Sequence, residues 1–298
     1  MTTQRLVWMN GQLVSGDKAT VPILSHGFSR GSAIFESFGV HDSPQGPAAY
    51  RMDEHLKRLR RSADLLGMEM AYDEAQIAAA VAETVHANGI GRGLIKVMAY
   101  WGEEAIVQMV PDKPLDVAVF AIPNGGELHL DDASAISACL SKWRKLHPET
   151  VAVEAKATRN YLSGYLARKE ARDRGFDIGI LLSTDGFLAE GSTESVFLVR
   201  DGAVLTPPLG RILTGISRMS VLEMADAAGV PAREEVLRGE DLFTADEIFT
   251  AHSGVKVHPN SFVDPSAELH DGVIVSQGAV IGPDVTIGKG TEIGPNAV

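Results

Sequence analysis

The sequence predicts an α+β fold in two domains, followed by a short β-helical tail. Strand and helix patterns are mixed along the chain, without the strict β-α-β alternation of a doubly wound sheet. The length of 298 residues suits two domains of ordinary size. Towards the C-terminal end, aliphatic residues recur at every sixth position, which is the period of a parallel β-helix.

The first predicted domain spans residues 1–122. Asn10-Gly11 lies between two short apolar runs and favours a type I′ hairpin turn. Apolar residues at spacings of three and four indicate a helix, and a second helical pattern ends at an Asn-Gly pair. The predicted elements are strands Leu6–Met9, Gln12–Val14, Leu94–Tyr100 and Leu115–Ile122, and helices Asp53–Leu66 and Asp73–His86.

The second predicted domain spans residues 123–259 and begins at the turn-rich segment Pro123–Glu127. Two Asp-Gly dipeptides, the second at Asp201-Gly202, are flanked by strand patterns and predict hairpins. Two helical patterns each end at a glycine. The predicted elements are helices Thr158–Arg174 and Ser217–Ala228, and strands Ile178–Ser183, Phe187–Ala189, Ser195–Val199 and Val204–Thr206.

The third predicted region is a hexapeptide-repeat tail at residues 260–298. If about a quarter of positions are aliphatic, six in phase arise by chance roughly once in a thousand. A six-residue period means that each hexad turns one short strand inward, with about two coils in this length. The aliphatic positions in phase are Val263, Leu269, Val275, Ile281, Ile287 and Ile293.

The composition excludes several classes of protein. The net charge is −12 and the chain has no dense basic block, so a nucleic-acid partner is not expected. No run of about 18 apolar residues predicts a membrane span. Cys139 is the single cysteine, so no intrachain disulfide can form, and no signal pattern opens the chain. We expect a cytoplasmic protein without a metal site.

Three features of the sequence can carry chemistry. Lys156 lies among apolar residues before a helix; a buried lysine is often functional, although a solvated lysine is the commoner case. Thr214–Arg218 opens a helix that Ser217 can cap and whose N–H groups favour an anion, although most such turns are ordinary caps. Glu190 follows a strand beside a glycine, where it faces either a cleft or the solvent.

The order of these segments resembles the class IV aminotransferases, the fold type IV pyridoxal 5′-phosphate (PLP) enzymes that include D-amino-acid aminotransferases. The resemblance covers about residues 6–259 and rests on several ordered motifs. Ser195 departs from the family pattern, which has Asn there. The matching blocks are Ser25–Glu36, Glu54–Leu59, Lys156–Tyr161, Glu190–Phe197, Val204–Thr206 and Leu213–Arg218.

The resemblance implies a role for each site residue. Lys156 would be the Schiff-base lysine and would move the substrate proton, Tyr161 would bind the phenolic oxygen of PLP, and Glu190 would face its pyridine nitrogen. The phosphate group of PLP would be held by Arg58, Ile216, Ser217 and Ser253. The substrate pocket would include Phe35, Lys96 and His252.

The resemblance also implies the reaction, which is transfer of an amino group from an L-amino acid to 2-oxoglutarate by a ping-pong mechanism. Branched-chain amino acids are the first candidates. Leu94-Ile95-Lys96 stands where many bacterial branched-chain enzymes carry Tyr-Ile-Arg, so other substrates stay open. The alternatives are a PLP lyase of the aminodeoxychorismate type, a D-amino-acid or amine transaminase, and an inactive PLP-binding relic whose tail serves assembly.

The tail departs from the family and lacks its closing helix. From His258 onward it resembles the first coils of the left-handed β-helix in UDP-N-acetylglucosamine acyltransferase, without that enzyme's catalytic coils. Class IV aminotransferases build from dimers and the acyltransferases form trimers. We therefore expect a homo-oligomer built from dimers, in which the tail assembles with other copies rather than packing on its own body.

Overall fold

The computed structural model describes residues 5–124 and 136–252, together with the backbone of six strand segments between residues 256 and 293. The chain forms two compact units. The first comprises Met1–Asp131 and Glu154–Arg159, and the second comprises Asp132–Val153 and Asn160–Val298. The mixture of helices and sheets confirms the α+β class. The domain boundaries at residues 122 and 259 stay predictions.

The first unit is built on an antiparallel sheet with helices packed against it. Its strands are β1 (Leu6–Met9), β2 (Gln12–Ser15), β3 (Ile34–His41), β4 (Ala48–Ala49), β5 (Gly93–Tyr100) and β6 (Asp116–Pro123). Its helices are α1 (His26–Ser29), α2 (Met52–Leu65) and α3 (Glu74–Ala87). The strand order is β2-β1-β6-β5-β3-β4. Helix α2 packs against β3, and α3 packs against β1 and β6, which buries an apolar core that includes Phe38, Leu59, Ile77 and Ile95.

Local sequence signals explain the ends of these elements. Asn10 and Gly11 both have positive φ, 46° and 96°, which confirms the predicted type I′ turn between β1 and β2. Asp73 and Gln76 form a capping box that starts α3. Helices α2 and α3 begin and end within one residue of the predicted positions. Strand β3 was not predicted from the sequence, because its apolar run lies inside a motif that we interpreted only functionally.

The second unit is built on a larger mixed sheet. Its strands are β7 (Ile136–Arg144), β8 (Ile178–Leu182), β9 (Leu188–Gly191), β10 (Ser195–Arg200), β11 (Ala203–Thr206), β12 (Ala232–Glu234), β13 (Glu247–His252) and β14 (Lys256–Val263). Its helices are α4 (Leu162–Asp173) and α5 (Ile216–Ala227). The strand order is β12-β11-β10-β13-β14-β7-β8-β9. The predicted single helix at Thr158–Arg174 is a 3₁₀ turn, Thr158–Tyr161, followed by α4.

The tail begins with a strand that belongs to this sheet. Strand β14 pairs antiparallel with β13, while its last residues pair in parallel with β7 and with a tail strand. Phe262 pairs with Val280, which is an offset of 18 residues, and both later strand pairs keep that offset. This confirms three hexads per coil. The tail strands are β15 (Glu268–Leu269), β16 (Ile274–Val275), β17 (Val280–Ile281), β18 (Thr286–Ile287) and β19 (Glu292–Ile293).

The side chains of the tail lie outside the described part of the chain, so the inward direction of its aliphatic residues stays a prediction. Within the described ranges, no helix combines the length and the apolar character that a membrane crossing needs.

Candidate active site

Lys156 lies in the short segment Glu154–Arg159 that joins the first unit. Its backbone is fixed on both sides: the N–H donates to the hydroxyl oxygen of Ser62 at 3.0 Å, and the carbonyl accepts from the N–H of Phe35 at 3.0 Å. Ser62 in turn donates to the carbonyl of Arg58, one turn earlier in α2. The lysine is 8% exposed, and its Nζ lies 5.1 Å from the centre of the Phe35 ring. Its predicted burial is therefore confirmed.

Arg58 lies on α2 in a buried ion pair with Glu36 of β3. Its Nε and Nη2 atoms donate to the two carboxylate oxygens of Glu36, each at 2.7 Å. The Nδ1 atom of His55 lies 2.7 Å from Glu36 Oε2 and forms a third hydrogen bond to the same carboxylate. The side chains of Glu36, Arg58 and His55 are 0%, 4% and 0% exposed. Two parallel bonds and a third donor hold this arginine in one orientation.

The charges in this cluster follow from its contacts. Burial raises the pKa of the Glu36 carboxyl, but the charge of Arg58 and the hydrogen bonds from Arg58 and His55 lower it overall to about 2. Burial lowers the pKa of His55, against the opposing effect of Glu36. Because an ionised carboxylate only accepts hydrogen bonds, His55 Nδ1 must carry the proton. His55 is therefore a neutral donor, and its buried Nε2 atom has no hydrogen-bond partner in the described residues.

Phe35 and Lys96, two predicted pocket residues, lie side by side in the first unit. The Nζ atom of Lys96 is 4.8 Å from the centre of the Phe35 ring, and Lys156 contacts the same ring. Burial lowers the pKa of Lys96. Strands β3 and β5 place them together, because Phe35 pairs with Met98 and Ser37 pairs with Lys96. One aromatic ring thus lies against two cationic side chains.

Glu190 lies on β9 in the second unit, where both of its carboxylate oxygens are engaged. One oxygen forms an ion pair with Lys145, and the other accepts from the backbone N–H of Leu213 at 3.2 Å. The side chains of Lys145 and Glu190 are 8% and 15% exposed. The contact with Leu213 brings together two blocks of the family signature that are separated by more than 20 residues.

The second of these blocks leads into helix α5. The prediction that Ser217 caps the helix was wrong: α5 begins at Ile216, the N-cap is Gly215, and no side chain caps it. A side chain on Gly215 would collide with Ser195 Oγ, since a Cβ built there lies 2.7 Å from it. Ser217 therefore lies in the first turn, and its buried Oγ atom has no partner in the described part of the chain. An uncapped helix start with an unsatisfied hydroxyl suits an anion.

The other predicted residues are placed less closely. Tyr161 is half-buried at the start of α4. His252 is half-buried at the end of β13. Ser253 lies outside the described residues.

The sequence analysis missed four buried polar residues of these clusters, which are Glu36, His55, Ser62 and Lys145. Glu36 and His55 lie inside quoted motifs without an assigned role. A signal was present for them, since charged and imidazole side chains in otherwise apolar segments are rarely buried unless they are paired. Ser62 and Lys145 had no such signal, because their partners are 94 and 45 residues away in the chain.

These groups fit PLP, the cofactor that the resemblance implies. A buried lysine can bind an aldehyde, and a buried carboxylate can face a ring nitrogen. The unsatisfied hydroxyl of Ser217 at an uncapped helix start and the buried guanidinium of Arg58 supply donors for a phosphate group. The fit rests on both units, each of which contributes its own cluster.

Comparison with known proteins gives the family. The amino-transferase class IV model matches residues 33–261, and a bacterial transferase hexapeptide model of six repeats matches residues 266–298. The branched-chain-amino-acid aminotransferase of Salmonella typhimurium strain LT2 is 33% identical over 248 residues, which are 82% of this chain and 80% of that protein.

Solved structures agree with this match. The branched-chain aminotransferase from Thermoproteus uzoniensis with norvaline has a TM-score of 0.82 at 35% identity, covering 87% of this chain and 86% of that one. The branched-chain enzyme from Thermobaculum terrenum in its PLP form has a TM-score of 0.79 at 26% identity, covering 87% and 86%. The chain belongs to the class IV aminotransferases, which use PLP, and it is a transaminase.

Proposed function

We propose that this transaminase moves the amino group of an L-amino acid, with leucine, isoleucine and valine as first candidates, to 2-oxoglutarate. The observation that carries the proposal is Lys156, which is buried against Phe35 with its backbone fixed on both sides. Relatives from several bacteria that are about 30–33% identical over some four fifths of the chain are named branched-chain-amino-acid aminotransferases.

The residues of both clusters support this chemistry. When bound, PLP supplies an electron sink that makes the α-proton of an amino acid removable. We assign Lys156 as the covalent attachment point and as the base that takes this proton at Nζ. Glu190 holds the proton on the ring nitrogen, because a carboxylate at that atom raises its pKa. Tyr161 orients the phenolic oxygen.

The phosphate group of PLP is assigned to Arg58, Ile216, Ser217 and Ser253. Arg58 offers an oriented guanidinium, and the first turn of α5 offers backbone N–H groups with the hydroxyl of Ser217. Binding of a non-reacting group of this kind fixes the reacting atoms relative to Lys156.

The substrate pocket is assigned to Phe35, Lys96 and His252. The Phe35 ring offers an apolar wall that suits an aliphatic side chain. Lys96 adds a positive charge beside it, which suits the carboxylates of an amino acid and of 2-oxoglutarate. After the first half-reaction the amino group stays in the site until an oxo acid collects it, which gives ping-pong kinetics.

A substrate panel tests the proposal. The full-length protein with PLP is assayed for glutamate formation from 2-oxoglutarate with L-leucine, L-isoleucine, L-valine, D-leucine and a primary amine. We expect turnover with the L-branched-chain acids. Turnover with D-leucine or the amine alone would favour those transaminases. Pyruvate release from aminodeoxychorismate without any transamination would favour the lyase, and a protein that binds PLP but converts nothing would favour the relic.

We also propose a homo-oligomer built from dimers. One surface of the first unit supports it: the loop before β6 is held against α1 by hydrogen bonds from Arg30 to the carbonyls of Ala105 and Ile106, at 2.8 and 3.2 Å. Large apolar side chains on this loop and near α1 are 67–88% exposed, which is typical of a protein interface. They are Ile23, Phe28, Ile106, Val107, Met109 and Val110.

The tail is proposed to contribute to the assembly. Since Asn260–Val263 pair with β7, a deletion from residue 260 removes part of the sheet, whereas a deletion from residue 264 leaves β14 intact. Mass in solution of the two truncated proteins separates the effects. We expect the shorter deletion alone to reduce the oligomer size. An unchanged mass and cofactor content would show that the tail is passive.

A cytoplasmic location is proposed as well. Cys139 is fully buried, and burial raises the pKa of its thiol to about 11, which fits a thiol that stays reduced. Cell fractionation is the direct check.

A further inference from the structure

The ion pair between Arg58 and Glu36 has a consequence for the protein without its cofactor. Both side chains are almost completely removed from water, at 4% and 0% exposure. Burying an ion costs several kcal/mol unless an opposite charge and hydrogen bonds offset it. Glu36 provides both, through two bonds of 2.7 Å to the guanidinium. The arginine is therefore neutralised inside the protein.

The neighbouring charges make this carboxylate more important. Lys156 is close enough to Glu36 to lower the pKa of its carboxyl, so two cationic side chains act on one buried acid. His55 adds a hydrogen bond but no charge, because its pKa is lowered. Without the carboxylate, the cluster would hold two positive charges and a neutral imidazole in a buried place.

We infer that Glu36 is a positioning residue that serves as the counterion of Arg58 when no phosphate is bound, so that the arginine stays buried and oriented in the cofactor-free protein. The inference rests on the proposed role of Arg58 as a ligand of the PLP phosphate. It assigns to Glu36 no contact with substrate or cofactor. The phosphate would then bind to a donor that is already in place, which lowers the ordering cost of binding.

Replacing Glu36 by glutamine separates this role from a general structural one. Glutamine is nearly isosteric but neutral, so the Arg58 charge becomes buried and unpaired. A phosphate group is then the anion that can restore the pairing. The stability of Glu36→Gln should therefore depend on a phosphate-bearing ligand much more than that of the wild type does, by the linkage between binding and folding.

The experiment measures thermal unfolding of the full-length protein without ligand, with PLP, with pyridoxal and with inorganic phosphate. We expect Glu36→Gln without ligand to melt roughly 5–15 °C below the wild type. PLP and inorganic phosphate should recover at least half of this loss, and pyridoxal, which has no phosphate group, should recover less. Equal losses under all four conditions, in a protein whose PLP binding requires Arg58, would overturn the inference.

A matched control comes from the second unit. Glu170 is a partly buried acid that accepts from Ser141 at 2.7 Å and lies 3.6 Å from Arg174. Glu170→Gln should lose the same stability with and without phosphate-bearing ligands. Recovery of this control by inorganic phosphate would mean a non-specific salt effect and would count against the inference.

Two further variants keep the test decisive. Glu36→Asp keeps the charge but shortens the side chain, so at most part of the paired geometry survives; we expect a smaller loss with the same ligand dependence. It replaces Glu36→Gln if that variant does not fold, and a ligand-independent loss in it overturns the inference. Arg58→Met tests the premise: if it binds PLP as tightly as the wild type, the phosphate role of Arg58 fails and the inference fails with it.

Discussion

The two proposed phosphate-binding groups differ in how far the protein itself satisfies them. In the first unit, the guanidinium of Arg58 is held by both oxygens of Glu36. In the second unit, the hydroxyl of Ser217 is buried without a partner in the described residues, at a helix start that no side chain caps. An unsatisfied neutral group costs about 1–3 kcal/mol, whereas an unpaired buried charge costs several. A protein can leave a hydroxyl open for its ligand, but a buried arginine needs a permanent partner.

The two buried lysines show a similar difference. Lys156 is fixed through its backbone and its Nζ lies against an aromatic ring, whereas Lys145 is held by its charge against Glu190. Mutations should therefore separate chemistry from stability in the first unit and combine them in the second.

The largest effect is expected for Lys156→Ala. Both hydrogen bonds that fix this residue are made by its backbone, so the variant should fold while losing the group that binds the cofactor and moves the proton. Turnover should fall by at least about a thousandfold. Borohydride reduction and peptide mapping should find the cofactor on Lys156 in the wild type. Lys142→Ala, a surface lysine beside Trp143, is the control and should keep full activity.

Attachment of the cofactor to another lysine in the wild type would refute the assignment of Lys156. A melting temperature that collapses in the alanine variant would refute the separation of chemistry from stability.

Glu190→Gln is expected to combine two losses. The ring nitrogen loses its carboxylate, so turnover should fall on the order of a hundredfold while PLP stays bound. Lys145 also loses its counterion at 8% exposure, so the melting temperature should fall as well. Kinetics and thermal unfolding of the same sample check both. Replacing both residues, as Lys145→Met with Glu190→Gln, should recover stability but not turnover; unchanged turnover in the single variant would contradict the role of Glu190.

Ser62→Ala should have a smaller effect that reaches the lysine through its backbone. The variant leaves the buried N–H of Lys156 without its acceptor, which should cost about 1–3 kcal/mol of unfolding free energy and weaken PLP binding. Thr84 is the matched control, since its hydroxyl also donates to the carbonyl four residues earlier and is fully buried. Thr84→Val should lose some stability in urea but keep its cofactor affinity. Equal cofactor affinities in both variants would speak against positioning by Ser62.

The smallest effect is expected for Ser217→Ala. Its hydroxyl has no partner to lose in the described residues, so the stability of the cofactor-free protein should change by less than about 0.5 kcal/mol. PLP affinity should fall about tenfold, because one hydrogen bond to the phosphate is lost, and pyridoxal affinity should not change. Titration of cofactor-free protein with both compounds measures this. A marked loss of stability would mean that the hydroxyl has a structural partner.

Sequence alone predicted those parts of the molecule whose signals are local. Turn residues, helix periodicity and the six-residue repeat each lie within one element, and they gave the hairpin at Asn10, helices α2 and α3, and the coil length of the tail. The motifs gave Lys156, Arg58 and Glu190. The partners of these residues could not be read in the same way, because Glu36 and Ser62 meet them only after β3 and α2 are packed together.

The cap of α5 shows a different limit of sequence analysis. Ser217 has the residue type of a cap, but the tight approach of Ser195 leaves room only for glycine at the preceding turn, and this sets the helix start one residue earlier than predicted. A long-distance contact thus decided a local feature.

Strand β14 gives the repeat array a fixed starting phase. Phe262 and Val263 pair with β7 on the aminotransferase sheet and also with β17 of the tail, and every later pair keeps the 18-residue step. The length of such an array is therefore quantised. An insertion of 18 residues would add one turn and preserve each existing pairing, whereas an insertion of six would carry every downstream strand to the next face of the prism. For protein engineers, β14 is a splice point at which arrays of chosen length can be grafted in whole-turn increments.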